Sequence, residues 1–165
     1  MKRFNSANTS PQNIFGLFVT RTYWLQPDFW LACIAATLFW SAFILLDLSP
    51  ASKAVFPMPG STLLLLIIVF PILEEIVFRG LIQESIHRLL NHNGFPTLFF
   101  WRLSSANVLA SLFFSVSHLW TQPMLWALAT FIPSLIFGYF KDKYQSLQPS
   151  IVLHIFYNLG FYLFL

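Results

Sequence analysis

Two adjacent glutamates, Glu74 and Glu75, interrupt a long apolar stretch of the sequence and are its first candidates for chemistry. Glu75 and Arg79 are four residues apart, so in a helix they share a face and can form an ion pair. Glu74 points about 100° away from that face, and the residue four positions further on is Phe78, which offers no cation. Burial disfavours the ionised form of an unpartnered carboxylate, which suits a general base near neutral pH. The alternative is that both glutamates end a helix and reach toward the membrane interface.

Three more polar residues lie in apolar segments further along the chain. His118 follows Phe114 by four residues near the end of one segment, and His154 precedes Asn158 by four residues in the last. The imidazole of His154 and the carboxamide of Asn158 share a helix face, so both can donate hydrogen bonds to a developing oxyanion. Taken singly, His118 is more often an interfacial or structural histidine, and the second pair more often bridges helices. Together with the glutamates, on three segments, these residues favour a catalytic site.

The other polar side chains nearby are assigned no chemistry. Gln83, Glu84 and His87 follow Arg79 on what we expect to be a surface-exposed helix face, and His92 lies in a turn. A zinc hydrolase is an alternative, because histidine and glutamate are zinc ligands, but the sequence contains no His-Glu-x-x-His motif.

The composition indicates which environment holds these residues. Hydrophobic residues make up 57% of the 165 positions, charged residues only 9%, and the mean hydropathy is +0.68. A water-soluble domain carries about a quarter charged residues, because its surface must be hydrated. The nine Lys and Arg are dispersed between apolar runs, which argues against a nucleic-acid-binding face despite the net charge of +3. Lipid is therefore the expected solvent, and the single Cys33 forms no intramolecular disulfide.

The hydrophobic pattern predicts an all-α protein, a polytopic transmembrane helix bundle with about five to six spans. The fourth span contains Pro133, where we expect a kink, and a sixth arises if residues 80–100 re-enter the bilayer. Residues 1–27 are expected to form a cytoplasmic or interfacial arm, and residues 28–165 a single membrane-embedded domain. The five predicted spans are residues 29–46, 61–90, 104–119, 123–140 and 150–165.

The basic residues predict an orientation for this bundle. With the N-terminus placed in the cytoplasm, eight of the nine Lys and Arg fall on the inner side and only Lys53 falls outside. Cytoplasmic segments carry an excess of Lys and Arg, so we expect a multi-pass protein of the inner (plasma) membrane with its C-terminus outside.

Three short motifs in these segments resemble those of the CPBP family, the CAAX proteases and bacteriocin-processing enzymes that are also called the Abi family. The first is Glu74-Glu75-x-x-x-Arg79, which is reinforced by Gly80 and Gln83. The second and third motifs are Phe114-x-x-x-His118 and His154-x-x-x-Asn158. All three occur in the family's order and with its spacing, and the resemblance covers roughly residues 61–160.

The resemblance implies glutamate-dependent hydrolysis of a peptide bond within the membrane, with no metal or other cofactor. It implies that Glu74, assisted by His118, activates a water molecule. It further implies that His154 and Asn158 stabilise the oxyanion, while Glu75 and Arg79 hold the site together. The expected partners are the lipid bilayer and a protein or peptide substrate in or at the membrane, with no nucleic acid.

Substrate and subtype are less defined by the resemblance. The chain is shorter than the eukaryotic CAAX enzymes and has fewer spans, which argues against a prenylated substrate. Its size is similar to compact bacterial members, some of which resemble processing enzymes for C-terminal sorting signals. A non-enzymatic membrane immunity or scaffold protein stays open as an alternative. A transporter is disfavoured, because five spans without an inverted repeat are atypical of one.

The span map also leaves one geometric question. Glu74 and His118 can face each other across an antiparallel pair if the second helix turns at residues 91–96. On the same map His118 lies near the outer end of its span and His154 near the inner end of its own. Spacing along the chain therefore does not bring the two histidines to one depth.

Overall fold

The computed structural model describes residues 22–46, 59–93 and 103–164, and these are almost entirely helical. The arm at residues 1–21, Lys53 and the predicted turn beyond residue 93 lie outside the described residues. A short 3₁₀ turn, Tyr23–Leu25, precedes five helices, so the predicted all-helical bundle is confirmed. The helices are α1 (Pro27–Leu45), α2 (Gly60–His92), α3 (Ser105–His118), α4 (Met124–Tyr144) and α5 (Gln148–Phe164).

Three of the five helices, α1, α2 and α4, are long and apolar enough to cross a membrane. Helix α3 has 14 residues and is short for a full crossing, which takes about 17–25 residues, whereas α5, with 17 residues, is at the lower limit of that range. Large apolar side chains are exposed along the bundle, as at Leu38 and Trp120, whereas charged Glu75 and Arg79 are buried. This arrangement inverts that of a water-soluble domain and is typical of a bundle in lipid.

Helix α2 is continuous through the glutamates, as predicted, but it is wound unevenly. Two stretches, Leu65–Val69 and Ile76–Gln83, form wide π-helical turns in which main-chain hydrogen bonds reach five residues back. Pro71, between them, has no N–H, and its ring would clash with the carbonyl four residues earlier in a regular helix. A wide turn ahead of the proline relieves that clash and leaves α2 continuous.

A second proline shapes α4. The helix is interrupted at Thr130, between the segments Met124–Ala129 and Phe131–Tyr144. Pro133 follows the interruption by three residues and cannot donate to the carbonyl of Ala129. The sequence predicted a kink at Pro133, and the structure has an interruption of the helix three residues before it.

Charged and polar side chains join the helix ends at one side of the bundle. These contacts bring together the start of α1, the end of α2, the residue before α3 and the end of α4, so successive helices run in opposite directions. Gln145, with a left-handed backbone (φ 50°), ends α4 and returns the chain into α5 at the same side. The contacts are Lys143–Asp28, Lys141–Glu84 and Ser104–Asp142.

Two glycines permit close helix contacts that hold the bundle together. A Cβ atom at Gly138 in α4 would overlap the amide of Asn107 in α3. A Cβ atom at Gly160 in α5 would overlap the ring of Trp40 in α1. Small residues let membrane helices approach in this way. The contact at Gly138 brings α4 near α3, and the contact at Gly160 brings α5 near α1.

Candidate active site

The two adjacent glutamates occupy different environments. The side chain of Glu75 is fully buried, whereas 32% of the Glu74 side chain is exposed. The difference follows from the helix, which turns successive side chains by about 100°. Glu74 is therefore the carboxylate that water or a substrate can reach.

The guanidinium of Arg79 holds Glu75 in place. Its Nη1 lies 3.2 Å from Oε1 of Glu75, which confirms the ion pair expected from the four-residue spacing. Its Nη2 donates to the carbonyl oxygen of Ser134 at 2.9 Å and to the Ser134 hydroxyl at 2.7 Å. The rings of Phe114 and Phe137 lie 4.9 and 5.6 Å from the guanidinium carbon. Arg79 is 1% exposed, so it is a buried part of the site and does not act as a loop cation in the charge bias.

His154 of α5 lies between the two glutamates. Its Nδ1 is 2.9 Å from Oε1 of Glu75, and its Nε2 is 3.5 Å from Oε2 of Glu74. The imidazole stacks on the ring of Phe137, with centroids 4.7 Å apart and planes inclined by 22°. The side chain of His154 is 5% exposed, so its orientation is set by contacts on both edges and one face.

These contacts assign the proton on Nδ1 of His154. Glu75 is paired with Arg79, so its carboxylate is ionised and accepts hydrogen bonds only. Nδ1 of His154 must therefore carry the proton, which leaves Nε2 directed at Glu74. Two carboxylates and one guanidinium have a net charge of −1. A second proton, on Nε2 or on Glu74, would make this group of four side chains neutral.

His118 approaches from the end of α3. Its Nδ1 lies 2.9 Å from the carbonyl oxygen of Phe114, which only accepts, so Nδ1 carries the proton and Nε2 of the neutral ring is free to act as a base. The imidazole and the Phe114 ring are 4.5 Å apart between centroids. His118 and His154 both interact electrostatically with the Glu74 carboxylate. His154 also contacts the Phe114 ring, at 5.7 Å between centroids, so the structure brings both histidines to one depth, which the span map did not do.

Asn158 contacts the backbone of α2. Its Nδ2 donates to the carbonyl oxygen of Leu66 at 2.9 Å, one turn of α5 beyond His154. That bond uses one of the two N–H groups of the carboxamide. Asn158 therefore lies on the site-facing side of α5, as its spacing from His154 predicted.

Comparison with known proteins identifies a family that matches most of this chain. Residues 55–160 match the family of type II CAAX prenyl endopeptidase Rce1-like proteins, and this segment contains all three sequence motifs, from Glu74 to Asn158. The chain belongs to this family. No curated protein and no solved structure matches the chain.

Membership of the Rce1-like family has a direct consequence for function. The protein is a CAAX-type protease, a hydrolase that sits in the bilayer and acts on a peptide or protein substrate. The resemblance drawn from the three motifs is confirmed at the level of the family.

The sequence predicted a surface position for Gln83, and this was wrong. Gln83 is fully buried and donates to the carbonyl oxygen of Gly138 at 3.2 Å and to Oδ1 of Asp142 at 2.7 Å. The signal was present, because residues 75, 79 and 83 repeat every four positions and form one helix stripe. In this Rce1-like chain that stripe is charged or polar and faces α4.

Several contributors to the site were not anticipated. Ser134 and Phe137 of α4 hold Arg79 and His154, but no motif marks them, since they meet α2 only through the packing of α4. Tyr162 lies one turn beyond Asn158 on α5. Its position eight residues after His154 places it on the same face of α5, which is a signal that the sequence carried.

The described residues contain no group of three His, Cys, Asp or Glu side chains arranged to hold a metal ion. The side chains around His154 are two carboxylates, of which Glu75 is already paired with Arg79. In this Rce1-like site the histidines are thus held by hydrogen-bond acceptors of the protein itself.

Proposed function

We propose that this Rce1-like protein is a glutamate-type intramembrane endopeptidase that cleaves a membrane-associated protein or peptide. One observation carries the proposal. Glu74 is accessible and has no ion pair with any Arg or Lys that the structure describes, while its neighbour Glu75 is buried and paired. A carboxylate with two imidazoles nearby and no fixed cation is suited to take a proton from water.

In the proposed first step, a water molecule beside Glu74 attacks the carbonyl carbon of the scissile peptide bond. Its proton passes to the Glu74 carboxylate, and the free Nε2 of His118 helps to orient the water. The carbonyl oxygen becomes an oxyanion in the tetrahedral intermediate. In the second step the C–N bond breaks, and the proton held by Glu74 passes to the departing amine. The products are a carboxylic acid and an amine.

His154 and Asn158 are proposed to donate to the oxyanion. His154 can do so from Nε2 only when its ring is doubly protonated, because Nδ1–H is committed to Glu75. Asn158 retains one N–H after donating to Leu66. Each donor is expected to contribute roughly 10²–10³-fold to turnover.

Glu75 and Arg79 are proposed to position His154 without contacting the substrate. A buried ion pair is costly to form, but removal of either partner leaves an uncompensated charge. The pair is completed by Ser134, which fills two donor positions of the guanidinium. This support keeps Nε2 of His154 directed at Glu74.

The proposed setting is the inner (plasma) membrane, with the N-terminus in the cytoplasm and the C-terminus outside. The polar end of the bundle, where α1 begins and α4 ends, carries Lys141 and Lys143. Basic residues favour the cytoplasmic side, which supports this orientation. Fusion of a cytoplasmic or a periplasmic reporter to each terminus tests it, and activity of the cytoplasmic reporter at the C-terminus would contradict it.

The first experiment identifies the substrate and tests Glu74 together. The gene is deleted in its host, and the termini of membrane and surface proteins are compared by mass spectrometry. The deletion is complemented with wild type, with Glu74→Gln or with Glu84→Gln, at matched expression. Glu84 is a matched control because it lies on the same helix and pairs with Arg88 and Lys141 at the polar end.

A terminus that shifts on deletion and is restored by wild type and Glu84→Gln, but not by Glu74→Gln, supports the proposal. Rescue of the host's phenotype by Glu74→Gln with no change in any terminus contradicts it. That outcome favours the immunity or scaffold alternative, in which an amide of equal shape preserves packing and hydrogen bonding.

A further inference from the structure

Within α2, no main-chain N–H serves the carbonyl oxygen of Leu66. The N–H of Phe70 donates to Leu65, five residues back, so this part of α2 is in the wide register. In the same register the N–H of residue 71 would donate to the carbonyl oxygen of Leu66. Residue 71 is proline, which has no N–H. A carbonyl buried in a bundle without a partner costs free energy, so a donor from elsewhere is favoured.

That donor comes from the candidate site. Nδ2 of Asn158 in α5 lies 2.9 Å from the Leu66 carbonyl oxygen. We propose that Pro71 is a positioning residue. By depriving Leu66 of a main-chain donor, it creates the acceptor that holds the Asn158 carboxamide. Pro71 is itself fully buried, so its position in α2 is set by packing.

The catalytic consequence rests on the proposed function. With one N–H anchored on Leu66, the carboxamide of Asn158 keeps a single orientation and presents its second N–H without reorganisation. In Pro71→Ala, a new main-chain N–H competes for the carbonyl oxygens of this turn, and Asn158 loses its anchor. Turnover is then expected to fall several-fold with KM unchanged, because the lost orientation concerns only the transition state.

The decisive test measures stability and needs no substrate. Thermal unfolding of the full chain in dodecyl maltoside micelles is followed for wild type, Pro71→Ala, Asn158→Ala and the double variant. As a single change, Asn158→Ala is expected to lower the Tm by roughly 2–10 °C relative to wild type, since it leaves the Leu66 carbonyl without a partner. In the Pro71→Ala background the same change is expected to shift the Tm by under about 2 °C, because the backbone now satisfies Leu66.

Tyr157→Phe provides the matched control. The Tyr157 hydroxyl, on the preceding residue of α5, donates at 2.9 Å to the carbonyl oxygen of Ala32 in α1. Ala32 lies within α1, and the residue four positions further on, Ala36, has an N–H group. The Ala32 carbonyl is therefore not deprived of a main-chain donor by a proline. The Tm change caused by Tyr157→Phe should therefore be the same in the wild-type and Pro71→Ala backgrounds. Pro71→Ser, which also supplies an N–H, repeats the cycle if the alanine variant unfolds.

The outcomes separate this inference from the proposed function. Equal Tm losses for Asn158→Ala in both backgrounds would overturn the role of Pro71, whatever the activity. A coupled cycle supports that role even if Asn158→Ala cleaves substrate at the wild-type rate. In that case it is the oxyanion role of Asn158 that fails.

Discussion

Glu75 and His154, 79 positions apart in the chain, meet through a 2.9 Å hydrogen bond between Oε1 and Nδ1. This contact joins the first and third sequence motifs and fixes which ring nitrogen of His154 carries a proton. It turns Nε2 toward Glu74, the exposed member of the acidic pair. The following predictions depend on it and on the residues that support it.

Glu75→Gln is expected to reduce turnover by a factor on the order of 10²–10⁴, because an amide can donate as well as accept and therefore does not fix the Nδ1–H tautomer of His154. The rate is measured on the substrate found by comparison of termini. Glu84→Gln, which removes an equal charge from the polar end of α2, should stay within about twofold of wild type. A fully active Glu75→Gln would show that the 2.9 Å contact has no part in catalysis.

Arg79→Met is expected to lower the Tm by roughly 6–20 °C, because it leaves the buried Glu75 carboxylate without a cation. Thermal unfolding in detergent measures this. Arg88→Met is the control, since Arg88 also pairs with a glutamate four residues earlier but is largely exposed, and its Tm should change by no more than about 2 °C. The double variant with Glu75→Gln should recover part of the loss. No recovery would mean that the cost is packing and not charge.

Ser134→Ala is expected to lower the Tm by roughly 3–12 °C, as it removes an acceptor 2.7 Å from a charged donor. Ser150→Ala is the comparison, because Ser150 is equally buried but donates to the neutral carbonyl oxygen of Phe137. The decrease in Tm caused by Ser150→Ala should be about half as large as that caused by Ser134→Ala. Equal Tm losses for both serines would contradict a special role of Ser134 in holding Arg79.

Gly138→Ala is expected to lower the Tm by roughly 2–12 °C, because its Cβ atom would overlap Asn107 and force α3 and α4 apart. Gly60→Ala, where a Cβ atom meets nothing within 4 Å, should leave the Tm unchanged or raise it slightly. The same thermal unfolding assay compares them. A neutral Gly138→Ala would show that α3 and α4 are not in close contact at this position.

The two histidines are expected to differ in their effect on turnover. His118→Ala should abolish cleavage, since it removes the base that assists Glu74, whereas His154→Ala should reduce turnover by roughly 10²–10³-fold. His87→Ala is the control because His87 lies at the polar end of α2, outside the site. Insertion into the membrane is checked for every variant by fractionation. Wild-type turnover in His118→Ala or His154→Ala would remove that residue from the proposed mechanism.

Local features were predictable from the sequence. The helical membrane fold follows from apolar runs with few charges, and the Glu75–Arg79 pair follows from a spacing of four in one helix. The contrast between Glu74 and Glu75 likewise follows from their neighbouring positions on α2. All of these depend on periodicity, which a single helix expresses without reference to the rest of the chain.

Contacts between helices were not predictable in the same way. The span map placed His118 and His154 at different depths in the membrane. It treats each helix as perpendicular to the membrane and ignores how the helices pack against one another. Ser134, 55 residues beyond Arg79, accepts the hydrogen bonds of Nη2 of the guanidinium only because close packing at Gly138 brings α4 near α2 and α3. The wide turn before Pro71 was also not predicted from the sequence, because a helix can accommodate a proline in several ways.

The sequence by itself determined that this chain is a helical membrane protein with acids and imidazoles in apolar segments, and its motifs identified the family. Burial of charge in lipid is so costly that such residues mark a functional site wherever they occur. Only the tertiary structure decided which nitrogen of His154 faces Glu74, what holds Arg79 and what anchors Asn158. Those answers depend on distances between helices, which are set by packing over the whole bundle and not by spacing along one segment.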